Sequence, residues 1–95
     1  MVRHIVFFKL EDNSEANKQD IKNRFMGMNG KIEGKKNLEV GLNFSTEERA
    51  FDMALSCDFE NKDELKIYAS HPAHVVVVNY IKSINTITKI VDYEF

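Results

Sequence analysis

The chain has 95 residues, of which 43 % are apolar and 29 % charged. That is the ordinary composition of one globular domain, residues 1–95, small enough that self-association would add useful burial. The formal net charge is −2, and the basic residues are spread from Arg3 to Lys89 without a dense block, which argues against a nucleic-acid partner.

The longest uninterrupted apolar runs, Ile5 to Phe8 and Val75 to Val78, fall far short of the ~20 residues that span a bilayer, so no membrane partner is expected. The N-terminus lacks the pattern of a secretory signal. Cys57 is the only cysteine and has no intrachain partner, which fits a reducing, cytoplasmic setting.

The first predicted element is "VRHIVFFKL", rich in β-formers. Val2, His4, Val6, Phe8 and Leu10 share one face, and the other carries Ile5 and Phe7 between Arg3 and Lys9. Two partly apolar faces predict a central strand. Ser14 then suits a helix N-cap. Ile21, Phe25, Met28 and Ile32 follow at helical spacing, and Gly27, Gly30 and Gly34 lead out into a loop. "NLEVGLNF" alternates, with Leu38, Val40, Leu42 and Phe44 on one face. "FDMALSCDFE" alternates again, with Phe51, Met53, Leu55, Cys57 and Phe59 pointing one way.

Asn61 with Glu64 three residues later resembles a capping box and opens a short helix through Leu65 and Tyr68. Pro72 suits the first turn of a new helical segment. The following "AHVVVVNYIKSI" is ambiguous: four valines favour a strand, whereas Val77, Ile81 and Ile84 allow a buried helix. "TITKIVDYEF" closes as a strand with Ile87, Val91, Tyr93 and Phe95 on one face. The order is β-α-β-β-α-β with the second helix broken near Pro72, an α+β, ferredoxin-like pattern. One helical layer covers one sheet face. The other face remains apolar, which predicts a homodimer packed sheet to sheet.

His4, "LEVGLN" from Leu38 to Asn43, Glu48–Arg49, Phe59, "YASHPAH" from Tyr68 to His74, and "VDY" from Val91 to Tyr93 occur in an order that resembles the stress-responsive α/β-barrel family, Dabb, of the dimeric α+β barrel superfamily. The Tyr-x-x-His-Pro-x-His element is its most specific part. The resemblance implies a ferredoxin-like protomer, a homodimer with a shared barrel, and a helix for the valine run. Some plant proteins resembling this family are polyketide cyclases that close an aromatic ring by an aldol-type condensation. By that resemblance Tyr68 and His74 are the candidate catalytic, proton-transferring pair, and His4 lies near their pocket.

The residue types suit the chemistry. Imidazole takes and returns protons near neutrality, and a phenol can donate to a carbonyl as it becomes enolate-like. The bland alternative is that His74 packs its ring and Tyr68 edges the core. His4 and His71 complete the candidate pocket set, with a turn or cap hydrogen bond as the simpler role for His71 before proline.

Zinc needs three or four ligands. Cys57 falls in an apolar alternation, so no metal is expected. With no glycine-rich phosphate loop, no cofactor is expected either. Two functional readings result. One is cofactor-free proton transfer on a small apolar carbonyl ligand. The other is a non-catalytic stress-responsive or ligand-binding barrel.

Overall fold

In a computed structural model describing all 95 residues, four strands and three helices follow in chain order. They are β1 (Val2–Leu10), α1 (Glu15–Met26), β2 (Lys36–Leu42), β3 (Met53–Phe59), α2 (Lys62–Ser70), α3 (Pro72–Ser83) and β4 (Thr86–Glu94). The sheet is antiparallel in the order β2-β3-β1-β4, the ferredoxin-like arrangement. β1 is central, as its two apolar faces predict. Its register sets Val6 between Leu55 of β3 and Ile90 of β4. No helix is long and apolar enough to cross a membrane.

Local signals place the helix starts. Ser14 Oγ accepts the Asn17 N–H at 3.3 Å to cap α1, and Asn61 Oδ1 accepts the Glu64 N–H at 2.9 Å to cap α2. The core lies between the helices and the inward positions of β1, β2 and β3. Ile21, Phe25, Leu55, Cys57 and Phe59 are buried in it. The valine run is helical. Val77 and Ile81 turn inward while Val75 and Val76 face solvent, because burying one helical face outweighs the β-propensity of single residues.

The pattern misleads at three points. Met28 and Ile32 are buried, but α1 ends at Met26, so both reach the core from the turns around Gly30 and not from the helix. Gly30 and Gly34 take φ of 81° and 85° there, a conformation that favours glycine. Phe44 lies beyond the end of β2 and is 97 % exposed. Phe51 leaves the inner face and meets Phe7 edge-on at 6.2 Å on the outer side of the sheet. The cause is Asp52. It turns inward before the β3 ladder begins, its N–H donating to Phe8 O at 2.8 Å and its Oδ2 accepting the Leu10 N–H at 2.7 Å.

Candidate functional site

Tyr68 is the last inward residue of α2. Two residues later, at Ser70, α2 ends and the chain changes direction. His71 is extended, at φ −65° and ψ 136°, and α3 starts with Pro72. A residue before proline is driven out of the helical region, and proline has no N–H to continue the ladder. On an unbroken helix, residues 68 and 74 would lie about 240° apart around the axis. The break removes that separation: the Tyr68 and His74 rings sit with centroids 4.4 Å apart.

Phe59 flanks Tyr68 at 5.1 Å, and His4, from the inner face of β1, approaches it edge-on at 6.2 Å. Tyr68, His74 and His4 line one cavity of about 220 Å³ between α3 and the β1–β4 ladder. Its remaining walls are mostly apolar, among them Val6, Phe8, Phe25 and Leu55.

The three side chains differ in how they are held. Tyr68 is 1 % exposed, and its hydroxyl is closed off from solvent with no hydrogen-bond partner. Burial pushes the phenol well above its ordinary value of 10.0, with Cys57 adding to the effect, so the group keeps its proton. The His74 Nδ1 lies 3.0 Å from Ala69 O. A carbonyl only accepts, so in the neutral ring Nδ1 carries the proton and Nε2 keeps its lone pair. Burial moves His74 below its ordinary value of 6.5. The Ala69 carbonyl opposes the shift, and nearby His4 and His71 reinforce it. The His4 Nδ1 meets the carboxylate of Asp92, its partner across the β1–β4 register. That contact fixes the ring from behind.

His71 is not part of the cavity wall. Its Nδ1 accepts the Ala73 N–H at 3.1 Å, so the ring caps the first turn of α3. The extended backbone before Pro72 leaves that donor within its reach. Met28 and Phe59 pack in the core and do not fill the cavity, although Phe25 forms part of its wall.

Residue-by-residue reading of the sequence overlooked Asp92, Lys82 and Thr86. The alternation of β4 carried a signal for two of them, since Thr86, Thr88, Ile90 and Asp92 occupy the face opposite Val91 and Tyr93. No three His, Cys, Asp or Glu side chains gather at a spacing that could hold a metal ion.

Two stability effects should follow. Tyr68→Phe removes a buried hydroxyl that has no partner, so urea denaturation should find the variant neutral or stabilised by about 1 kcal/mol. A clear loss of stability would mean that the hydroxyl is bonded in solution. For His74 the folded-state value is depressed, so above pH ~6.5 neither state gains a proton on this ring. As pH falls below that point the unfolded chain binds the proton first, and stability declines. The stability difference between wild type and His74→Ala should therefore shift in favour of the variant from pH ~7.5 to pH ~5.5. A difference that does not change with pH would contradict the depressed value.

Comparison with known proteins agrees with this architecture. The chain is 34 % identical to an uncharacterised protein of Streptomyces coelicolor over 98 aligned positions, covering 100 % of both. A crystal structure of a dimeric protein of unknown function with a ferredoxin-like fold from Bacteroides fragilis matches with a TM-score of 0.82 and 35 % identity. The match covers 99 % of this chain and 95 % of that one. A hydroxynitrile lyase from Passiflora edulis matches with a TM-score of 0.77, over 98 % and 93 % of the two chains; at 17 % identity the likeness is one of fold. The family model of the stress responsive A/B barrel domain matches residues 2–95. With a match over nearly its whole length, the chain belongs to the stress responsive A/B barrel (Dabb) family.

Proposed function

We propose that the cavity binds a small, largely apolar carbonyl compound and that Tyr68 and His74 move protons on it without a cofactor. The observation that carries this reading is the pair itself. A phenol held protonated and an imidazole held neutral face one apolar cavity, with ring centroids 4.4 Å apart. Environments that drive two titratable groups apart in this way suit them to opposite roles.

Tyr68 donates to the carbonyl oxygen, and the hydrogen bond strengthens as negative charge builds there. His74 Nε2 takes the proton from the adjacent carbon. His74 then returns the proton to that carbon or, where the ligand carries a second carbonyl that the enolate attacks, to the new alkoxide. His4, fixed by Asp92, shapes the floor beside Tyr68. The hydroxynitrile lyase of like fold supports only the suitability of this architecture for a small-molecule enzyme.

One observation favours a second reading. The Tyr68 hydroxyl is closed off from solvent, as it would be in a barrel that only binds a ligand or serves a structural role. Proton exchange separates the two. Acetophenone in deuterated buffer, followed by NMR, should lose its methyl protons faster with the protein than without it. His74→Ala should remove about 100-fold of that acceleration or more, the scale of general-base catalysis, and Tyr68→Phe should weaken it as well. Saturable binding without faster exchange would favour the binding barrel.

The working form in this proposal is a homodimer joined through the outer sheet face. Phe7, Ile87, Val91, Tyr93 and Phe95 are exposed there, and the matched Bacteroides fragilis protein is described as dimeric. Sedimentation equilibrium at micromolar concentration should show a dimer, and Val91→Lys should dissociate it while leaving the circular dichroism spectrum intact. A wild-type monomer of normal stability would overturn this assembly.

A further inference from the structure

The cavity has a second polar end. α3 presents His74, Val78, Ile81 and Lys82 to it, and these positions share one helical face. Eight residues separate His74 from Lys82, a rise of about 12 Å. The facing strand runs back along the same path. Its inward positions pass from Asp92, beside His4, through Ile90 and Thr88 to Thr86, opposite Leu10. The cavity is therefore a trough with Tyr68, His74 and His4 at one end, apolar walls between, and Lys82 with Thr86 at the other.

Both groups at this second end are without partners. Thr86 Oγ1 is shut off from solvent and makes no hydrogen bond, an unfavourable state for a buried hydroxyl. Lys82 is the only Lys, Arg, Asp or Glu in the cavity wall and forms no ion pair. The neighbouring acid, Glu11, accepts the Asn85 side-chain N–H at 2.8 Å and does not line the cavity. A free ammonium at the end of an apolar trough, beside a threonine whose unpaired hydroxyl needs a χ1 rotation to turn into it, is complementary to a small anion.

The negative end of the α3 dipole lies here as well and opposes any anion, a phosphate dianion more than a monoanion, so the attraction must come from Lys82 and Thr86. We infer that Lys82 and Thr86 form a carboxylate subsite. Resting on the carbonyl reading above, this makes the ligand an oxo acid, with its carbonyl at Tyr68 and His74, an apolar spacer, and a carboxylate at the far end. A cavity of about 220 Å³ is smaller than the ~300 Å³ at which drug-sized pockets begin, so the ligand is small, and the length of the trough calls for an unbranched spacer of several methylenes.

Lys82 also stands in the last turn of α3, where a cation stabilises the helix. That role would alter protein stability without altering ligand preference, so preference is the quantity to read. NMR titrations of the full chain with 7-oxooctanoate and with 2-octanone compare an acid and a neutral ketone of similar length. Wild type should bind the acid about tenfold more tightly, the combined scale of a solvent-facing ion pair and one hydrogen bond. Lys82→Gln should reduce that preference to within about twofold and Thr86→Val should lower it, both without changing the affinity for 2-octanone. Tyr68→Phe should weaken both probes alike.

Equal affinities in wild type, or a preference that survives Lys82→Gln, would overturn the carboxylate subsite even if Tyr68→Phe weakens both probes. If Lys82→Gln abolishes the preference while Tyr68→Phe changes neither affinity, the subsite stands and the carbonyl end falls. Failure of both probes to bind would overturn both.

Discussion

The peptide between His71 and Pro72 sets the geometry on which the site depends. Proline cannot donate to a helical ladder, and it forces its predecessor into an extended conformation. α2 therefore ends two residues after Tyr68, at Ser70, and α3 starts on a new axis with His74 in its first turn. Two further contacts fix the result. His71 caps the helix that it precedes, and His74 returns across the break to Ala69 O. The same few residues thus end one helix, start the next and bring a phenol and an imidazole together.

The sheet supplies the opposite wall and an asymmetry that the helices cannot remove. α1, α2 and α3 cover one face, and their apolar sides meet the inward residues of β1, β2 and β3. β4 is at the edge of the sheet, and its inward residues border the cavity where the helical layer is incomplete. Its outward residues, with those of β1, leave Phe7, Val91 and Tyr93 exposed on the second face. A single helical layer on a four-stranded sheet thereby produces both the ligand-sized cavity and the uncovered surface.

Burial gives the two central groups opposite tendencies from one cause. A low-dielectric environment disfavours the charged form of each. For Tyr68 the charged form is the phenolate, so the proton stays on. For His74 it is the imidazolium, so the proton stays off. The same surroundings therefore keep the phenol protonated and the imidazole neutral. Asp92 acts one position removed, on His4.

Outside the valine run the sequence by itself determined the element order, because hydrophobic period, capping residues and the single proline are local signals. Ser14 and Asn61 mark helix starts through bonds that span three residues, and Pro72 does so through the fixed φ of its ring. The alternation from Met53 to Phe59 marks a strand without reference to anything distant. The seven-residue motif at Tyr68 to His74 likewise drew attention to the pair.

Tertiary structure decided what depends on several elements meeting. Phe51 turned outward because Asp52 found the Leu10 N–H across the sheet. Met28 reached the core from a turn after its helix had ended. The valine run became a helix, since burial of Val77 and Ile81 outweighs single-residue propensity. The partner of His4, the empty hydrogen-bonding position of Tyr68, and the place of Lys82 and Thr86 in one cavity wall arise from strand register and helix placement. Periodicity along a chain specifies which face a residue occupies. Only packing specifies what stands opposite it.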